Sequence, residues 1–233
     1  MNNQRRRLLQ AGAALCTPLP GLARAAGDIA GGKPITLVVS YPAGGGADVM
    51  ARLIAPRLAD TLGQPVVVEN KPGASGTLAA AQVARATPDG STLLLDASSF
   101  AVNPALFDKL PYDSSTAFAP LAVLAVYPNV LVCTPSFEAR TLADVVRLAR
   151  ANPGKLAYAS SGNGSAQHLA GALFEAMAKV EMTHVPYRGG GPALNDVMGG
   201  QVPLYFGNMA SATGHIQSGR LRALAVTSRL RSR

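Results

Sequence analysis

The chain has 233 residues, of which 48% are apolar and 15% charged, a composition that supports a buried core and excludes a disordered tail. No apolar run reaches the roughly 18 residues that a bilayer-spanning helix needs. The net charge of +8 comes from the two ends, because residues 26–219 carry 12 basic and 13 acidic side chains. This distribution and the scarcity of aromatic residues argue against a nucleic-acid-binding protein.

The first 25 residues have the features of an export signal. Three arginines at 5–7 are followed by an apolar stretch over 8–22, and Ala-Arg-Ala at 23–25 supplies a small-residue cleavage site. The segment 4–9 is also similar to a twin-arginine signal, so the export route stays open between the twin-arginine and general secretory pathways. We expect residues 1–25 to be a signal peptide that is removed on export.

Short β-branched runs then alternate with helical patterns, which is typical of βαβ units and a parallel sheet. In the first helix Met50, Ile54 and Leu58 form one apolar stripe, and Pro56 is expected to bend the helix. The segment 99–118 shows no regular pattern. The predicted elements before it are a strand at 35–40, a helix at 48–62, a strand at 65–69, a helix at 77–86 and a strand at 92–96.

Two apolar runs, 121–126 and 130–133, predict strands that carry the chain into a second unit. Thr141 and Asp144 have the spacing of a capping box at the start of the next helix. In the helix predicted over 165–179, the apolar stripe expected to face the core consists of Leu169, Ala172, Leu173, Ala176 and Met177. The predicted elements of this half are helix 141–151, strand 156–160, helix 165–179, strand 183–187, helix 191–199, strand 202–206, helix 209–218 and strand 221–227.

The same device occurs once in each half of the chain: a strand, a glycine-containing loop and a helix N-terminus. Residues 43–46 (Ala-Gly-Gly-Gly) precede the first helix, and residues 160–164 (Ser-Ser-Gly-Asn-Gly) precede the helix at 165. A helix N-terminus offers unpaired N–H groups and partial positive charge, which glycine lets a ligand approach. Two such loops facing each other would hold the two ends of a dicarboxylate, although each is also compatible with a plain tight turn.

A third loop at 187–192 also follows a strand and precedes a helix. Its Arg188 is suited to pair with a carboxylate through two hydrogen bonds, but a solvated arginine on a turn is an equally open reading. His168, in the first turn after the second glycine loop, is placed to face a cleft.

Motifs of catalysis and of cofactor binding are missing from the sequence. The loop at 44–49 lacks the third glycine of a dinucleotide fingerprint and the Gly-Lys-Ser/Thr end of a P-loop. Ser75 and Ser165 do not lie in a Gly-x-Ser-x-Gly elbow. The three histidines and Cys133 have no metal-ligand spacing, and Cys133 lies in an apolar run typical of a buried thiol. The sequence therefore predicts no catalytic residue, no metal and no cofactor.

Eight segments occur in an order and spacing that are more specific than any one of them. They are 41–48 (Tyr-Pro-Ala-Gly-Gly-Gly-Ala-Asp), 62–73, 86–95, 160–165, 168–171, 185–189, 199–202 and 221–228. Together they resemble the substrate-binding proteins of tripartite tricarboxylate transporters, the Bug-type receptors, over nearly all of residues 33–228.

The resemblance implies a periplasmic α/β protein with two lobes of the type II binding-protein kind. Such a receptor closes on a small carboxylate and delivers it to membrane transporter subunits, as a monomer and without enzymatic activity. The first lobe is expected at 26–126, the second at 127–228, and a basic tail at 229–233. The expected ligand-binding residues are Tyr41, Pro42, Ala43, Gly44, Gly45, Gly46, Asp48, Ser98, Ser160, Gly162, Asn163, Ser165, His168, Tyr187, Arg188, Gly189 and Asn208.

The chain departs from the family pattern at two positions and at its end. Pro203 and Gly207 stand where members often carry an acidic residue, and the loss of the second favours a ligand acid without an amine. Members also continue beyond the segment that matches 227–228. We therefore expect a truncated product that lacks the C-terminal part of the first lobe, which would leave apolar surface uncovered.

Two other functions remain open at this point. An α/β enzyme could use the same anion site, but it would need a nucleophile or general base in the cleft, and it would turn over its ligand. A sensing subunit could bind the same acid and signal instead of delivering it. The sequence does not separate this role from transport, because both need the same cleft.

Overall fold

The computed structural model describes residues 29–231, so the predicted signal peptide and the last two residues lie outside the described residues. Eight strands and seven α-helices alternate along this part of the chain. The strands are β1 Ile35–Val39, β2 Val66–Asn70, β3 Thr92–Leu95, β4 Asn129–Cys133, β5 Ala157–Ser160, β6 Thr183–Pro186, β7 Leu204–Asn208 and β8 Arg222–Val226. The helices are α1 Gly46–Leu62, α2 Thr77–Ala84, α3 Ser99–Leu106, α4 Leu142–Ala151, α5 Ala166–Ala178, α6 Gly190–Met198 and α7 Met209–Gln217.

The first lobe is a three-stranded parallel sheet in the order β2-β1-β3, with α1, α2 and α3. Its central strand β1 reads Ile-Thr-Leu-Val-Val and is buried almost throughout, as expected of a strand covered on both faces. Helix α1 continues through Pro56 and ends at Gly63, which has the left-handed conformation that glycine adopts most easily. The core of this lobe lies between β1 and α1, around Val39 and Ala51.

The second lobe is a five-stranded sheet in the order β6-β5-β7-β4-β8, with α4 to α7. The prediction of a parallel sheet is wrong here, because β4 runs antiparallel to both of its neighbours, β7 and β8. Strand β4 is the first strand of this sheet, and the chain reaches it from the sheet of the first lobe, so no crossover from another strand of the second sheet precedes it. Apolar clusters cover both faces of the sheet, one around Tyr205 and one around Tyr158.

Two predictions for the part of the chain between β3 and β4 are also wrong. Residues 121–126 form no strand, and Leu121, Val123 and Val126 are exposed. The apolar pattern there satisfies β-propensity, but a strand also needs a neighbour to pair with, and these residues have none among those described. Residues 99–118, predicted to be irregular, contain α3, in which the buried Asn103 donates a hydrogen bond through Nδ2 to the carbonyl oxygen of Ser75.

The prediction of which face of α5 packs against the core is wrong, because the predicted apolar stripe lies at the surface. Leu169, Leu173 and Met177 are 43%, 61% and 77% exposed, whereas Gly171 is buried against the ring of Tyr158. The lack of a side chain at Gly171 lets the helix lie close to the sheet on that side, which turns the apolar stripe to the surface. Within residues 29–231 no helix combines the length and the apolar character needed to cross a membrane.

Gly171→Ala tests this close packing. A Cβ atom at this position would overlap the ring of Tyr158, so we expect the free energy of unfolding to fall by about 1–3 kcal/mol despite the better helix propensity of alanine. Urea-induced unfolding followed by circular dichroism measures this change.

Gly214→Ala is the matched control, because Gly214 also lies within a helix and a Cβ there would meet no atom within 4 Å. We expect this variant to be neutral or more stable by up to about 1 kcal/mol. Equal effects of the two substitutions would contradict the packing role of Gly171.

Candidate functional site

A cavity of about 520 Å³ lies between the two lobes and is lined by residues of both. The first lobe contributes the start of α1, the end of β3 and the segment 122–127, through which the chain passes to the second lobe. The second lobe contributes the starts of α5 and α6 and the end of β7. The lining residues are Tyr41, Gly45, Gly46, Ala47, Met50, Leu94, Leu95, Asp96, Ala97, Ser98, 122–127, Asn129, Ser161, Ala166, Gln167, Gly190 and Asn208.

The N-terminus of α1 opens onto this cavity with unpaired N–H groups. Its N-cap is Gly45, which has no side chain to accept a hydrogen bond from the first turn. The N–H of Val49 is the first to be paired within the helix, and it donates to the carbonyl oxygen of Gly45 at 3.0 Å. The N–H groups of Gly46 and Ala47, which line the cavity, have no acceptor among the described residues.

The N-terminus of α5 presents a second pair. Here the N-cap Ser165 is buried, and its Oγ accepts from the N–H of His168 at 3.2 Å, which satisfies the third residue of the helix. The N–H groups of Ala166 and Gln167 have no acceptor among the described residues, and both residues line the cavity. Helices α1 and α5 therefore contribute four free donors to one cavity, two from each lobe, at helix ends that carry partial positive charge.

The side chain of Asp48 stabilises the conformation of the first glycine loop from the side that faces away from the cavity. Its Oδ2 accepts from the N–H of Gly44 at 2.9 Å, its Oδ1 accepts from Nδ2 of Asn70 at 2.9 Å, and Arg52 pairs with it at 3.0 Å. Burial acts to raise the pKa of Asp48, but the hydrogen bonds from Arg52, Gly44 and Asn70 outweigh it and lower the pKa below its ordinary value. Asp48 thus stays ionised and orients the loop without lining the cavity.

The second glycine loop is held by two histidines. Ser160 Oγ lies 2.6 Å from Nε2 of His184 and accepts from the N–H of Gly162 at 3.1 Å. His168 accepts from the N–H of Gly164 through Nδ1 at 3.1 Å, and its ring stacks on that of His184 with centroids 4.0 Å apart. Ser160 is 0% exposed, so this serine–histidine pair fixes the loop and does not present a nucleophile to the cavity.

The two lobes contact each other at two glycines, where the lack of a side chain lets the other lobe come close. A Cβ at Gly46 would overlap the side chain of Asn208, and a Cβ at Gly189 would overlap the ring of Pro42. Beside these contacts, Ser75 Oγ donates to the carbonyl oxygen of Asn163 across the lobes at 2.8 Å. The described arrangement is therefore a closed one, in which the backbones of the two lobes meet around the cavity.

The structure distributes the predicted site residues over three places. Five of them line the cavity: Tyr41, Gly45, Gly46, Ser98 and Asn208. Pro42, Ala43 and Gly44 lie on the other side of their loop, on a second cavity of about 460 Å³ that they share with residues of α6 and α7. The members that lie outside both cavities are Asp48, Ser160, Gly162, Asn163, Ser165, His168, Tyr187, Arg188 and Gly189.

Arg188 is exposed and does not line the cavity, so its pairing with a ligand carboxylate stays a prediction. Its neighbour Tyr187 turns away as well, because its hydroxyl donates to Asp196 at 2.6 Å. Burial and this contact with the Asp196 carboxylate raise the pKa of Tyr187 to about 12, which keeps the phenol protonated.

Several lining residues were not predicted. Ser161, Ala166 and Gln167 flank residues that were predicted, and the rule that helix N-termini bind anions would have included them. Asp96 directly follows β3, at the carboxyl end of a parallel strand, where open α/β sheets place their ligands. The segment 122–127 carried no such signal, because its pattern predicted a strand.

Comparison with known proteins places these features in a family context. The family described as "Tripartite tricarboxylate transporter family receptor" matches residues 50–233. The chain is 40% identical to protein BugT of Bordetella pertussis over 202 residues, which cover 86% of the chain and 62% of BugT. It is also 40% identical to the UPF0065 protein in the tcbD-tcbE intergenic region of Pseudomonas sp. (strain P51), over 84% of the chain and 58% of that protein. The chain thus spans about three fifths of these relatives.

Solved structures resemble the fold at similar identity. R. palustris Rpa4515 with adipate superposes with a TM-score of 0.83 at 38% identity, covering 85% of this chain and 67% of that one. MatC (Rpa3494) from Rhodopseudomonas palustris with bound malate gives a TM-score of 0.77 at 34% identity, covering 85% of this chain and 68% of that one.

Across residues 29–231, no group of three His, Cys, Asp or Glu side chains is placed to hold a metal ion.

The stacked histidines predict a pH dependence of stability. Burial, together with the neighbouring His168, lowers the pKa of His184 to about 4. An unfolded histidine, with a pKa of about 6.5, takes up a proton where folded His184 does not. The free energy of unfolding should therefore fall between pH 6.5 and 4, by on the order of 2 kcal/mol from this residue.

His184→Gln removes this titration, and the pH profiles of the two proteins in urea isolate it. We expect the stability of the wild type relative to the variant to decline as the pH falls from 6.5 to 4. A difference that stays constant over this range would show that His184 does not contribute.

Proposed function

Because the chain belongs to the tripartite tricarboxylate transporter receptor family, we propose that it is a periplasmic receptor that encloses a small organic carboxylate between its lobes. The observation that carries this proposal is the set of four free N–H groups from α1 and α5 in one cavity. Backbone donors at helix ends bind an anion without a cationic side chain, and the residues that line this cavity include no Lys or Arg.

The size and shape of the cavity fit a small acid. Its volume of about 520 Å³ lies in the range of roughly 300–1,000 Å³ common to small-molecule sites. The two pairs of donors come from opposite lobes, so a ligand with two polar ends would contact both and favour the closed arrangement. The relatives solved with adipate and with malate make dicarboxylates the first candidates.

The remaining parts of the proposal follow from the family and the sequence. In this proposal the receptor is exported through the predicted signal at 1–25, works as a monomer and hands its ligand to membrane transporter subunits. The full burial of Ser160 argues against acyl transfer by the Ser160–His184 pair, so binding without turnover is the expected behaviour.

A thermal melt with a panel of acids tests this function. We expect malate, adipate or a related acid to raise the midpoint with increasing concentration, because a ligand that binds only the folded state stabilises it by about 2.7 kcal/mol at a hundredfold excess over its Kd. Scanning fluorimetry provides the measurement, with adipamide as a neutral control of the same length. An equal shift by the neutral diamide, or no shift by any acid, would contradict carboxylate binding.

Gly46→Ala tests whether lobe closure is needed. The added methyl group would displace Asn208, whose Oδ1 accepts from the N–H of Ala210 at the start of α7. We expect the affinity for the acid identified above to fall at least about tenfold, as a loss of about 1.4 kcal/mol implies. Isothermal titration calorimetry measures the affinity, and Gly214→Ala serves again as the control. Unchanged binding by Gly46→Ala would show that the ligand does not require this contact.

A further inference from the structure

We infer that Asp96 determines the specificity of the cavity: a fully ionised acid binds only when the Asp96 carboxyl group is neutral, so that capture of the ligand takes up a proton. This inference rests on the proposed function and names a condition on its ligand. Asp96 is the one Asp or Glu among the residues that line the cavity, and the same lining includes the residues that carry the four free N–H groups.

The two oxygen atoms of Asp96 have different surroundings. Oδ1 accepts three hydrogen bonds, from Ser40 Oγ at 2.7 Å, from the N–H of Ala97 at 2.7 Å and from Ser99 Oγ at 3.2 Å. Oδ2 is buried and has no hydrogen-bond partner among the described residues. It lies against Gly76, where a Cβ atom would come within 2.8 Å of it. An ionised carboxylate leaves this second oxygen unpaired, whereas a protonated carboxyl group places less charge on it.

The groups around Asp96 offer no positive charge to offset ionisation. Both salt bridges of the described residues involve other acids, Asp48 and Asp144. Two titratable groups interact with Asp96. They are the phenols of Tyr41, in the loop after β1, and of Tyr112, in the loop after α3. Burial and the nearby Asp96 raise the pKa of both phenols. The groups that face Asp96 are also uncharged: Ser40 directly follows β1, Gly76 directly precedes α2, and Ser99 begins α3.

The balance of these contacts stabilises the neutral form more than water does for an exposed carboxyl group. Burial raises the pKa of Asp96 more than its hydrogen bonds from Ser40, Ala97 and Ser99 lower it. A second negative charge in the same cavity raises it further, because two like charges in one poorly solvated site disfavour joint ionisation. Proton uptake follows by linkage: affinity falls as the pH rises above the pKa of free Asp96, by at most tenfold per pH unit.

The test compares the wild type with Asp96→Asn by isothermal titration calorimetry with malate and with adipate, from about pH 6.5 to 8, where both acids are fully ionised. An asparagine retains the Oδ1 acceptor and carries no charge, so it mimics the protonated acid. For the wild type we expect the affinity to weaken at least about tenfold across this range, with net proton uptake in buffers of different ionisation enthalpy. For Asp96→Asn we expect binding at pH 8 that is at least about tenfold tighter than wild type and nearly independent of pH.

Asp60→Asn is the matched control, because it removes an exposed acid of α1 and should behave as wild type. The proton count of the wild type needs no variant, so the inference stays testable even if Asp96→Asn folds poorly. Binding of either acid with no proton uptake, or with the same pH dependence in Asp96→Asn, would overturn the role of Asp96 and leave the proposed function intact. Failure of both proteins to bind either acid at any pH would contradict the proposed function itself, and this inference with it.

Discussion

The arrangement of this protein depends on backbone N–H groups at two helix ends that the protein itself leaves unpaired. Orphan donors at a helix start are normally satisfied by a capping side chain or by water. In α1 the N-cap is a glycine with no side chain, and in α5 the serine cap reaches only the third residue of the helix. The donors of Gly46, Ala47, Ala166 and Gln167 therefore remain available in a cavity that residues of both lobes line. In the proposed function, an anionic ligand accepts hydrogen bonds from these donors.

Much of the surrounding polar network keeps these donors in place and does not line the cavity. Asp48 fixes the first loop through Gly44, Asn70 and Arg52, and the His168–His184 stack fixes the second through Gly164 and Ser160. Such supporting groups resemble ligand-binding residues in a sequence, because both are polar and lie next to the same glycines. Their burial and their partners separate the two roles.

Closure imposes a second demand on the same loops, which is close approach of two backbones. Gly46 faces Asn208, and Gly189 faces Pro42, with no room for a Cβ at either place. Gly46 thus lines the cavity and permits the lobe contact at the same time. This double use explains why the loop at 41–48 divides, with Gly45 and Gly46 on the main cavity and Pro42 to Gly44 on the second one.

The sequence by itself determined most of the local structure and the kind of site. The strand, glycine loop and helix start of each half formed as predicted, as did the capping box of Thr141 and Asp144, because these features depend on neighbours within a few residues. Only the tertiary structure decided the direction of β4, the missing strand at 121–126 and the outward face of α5, since each depends on a partner distant in sequence. The same holds for the cavity wall. Arg188 at a loop tip points to solvent, whereas Asp96 at a strand end reaches the site, because the packing of the two lobes selects which loop residues meet.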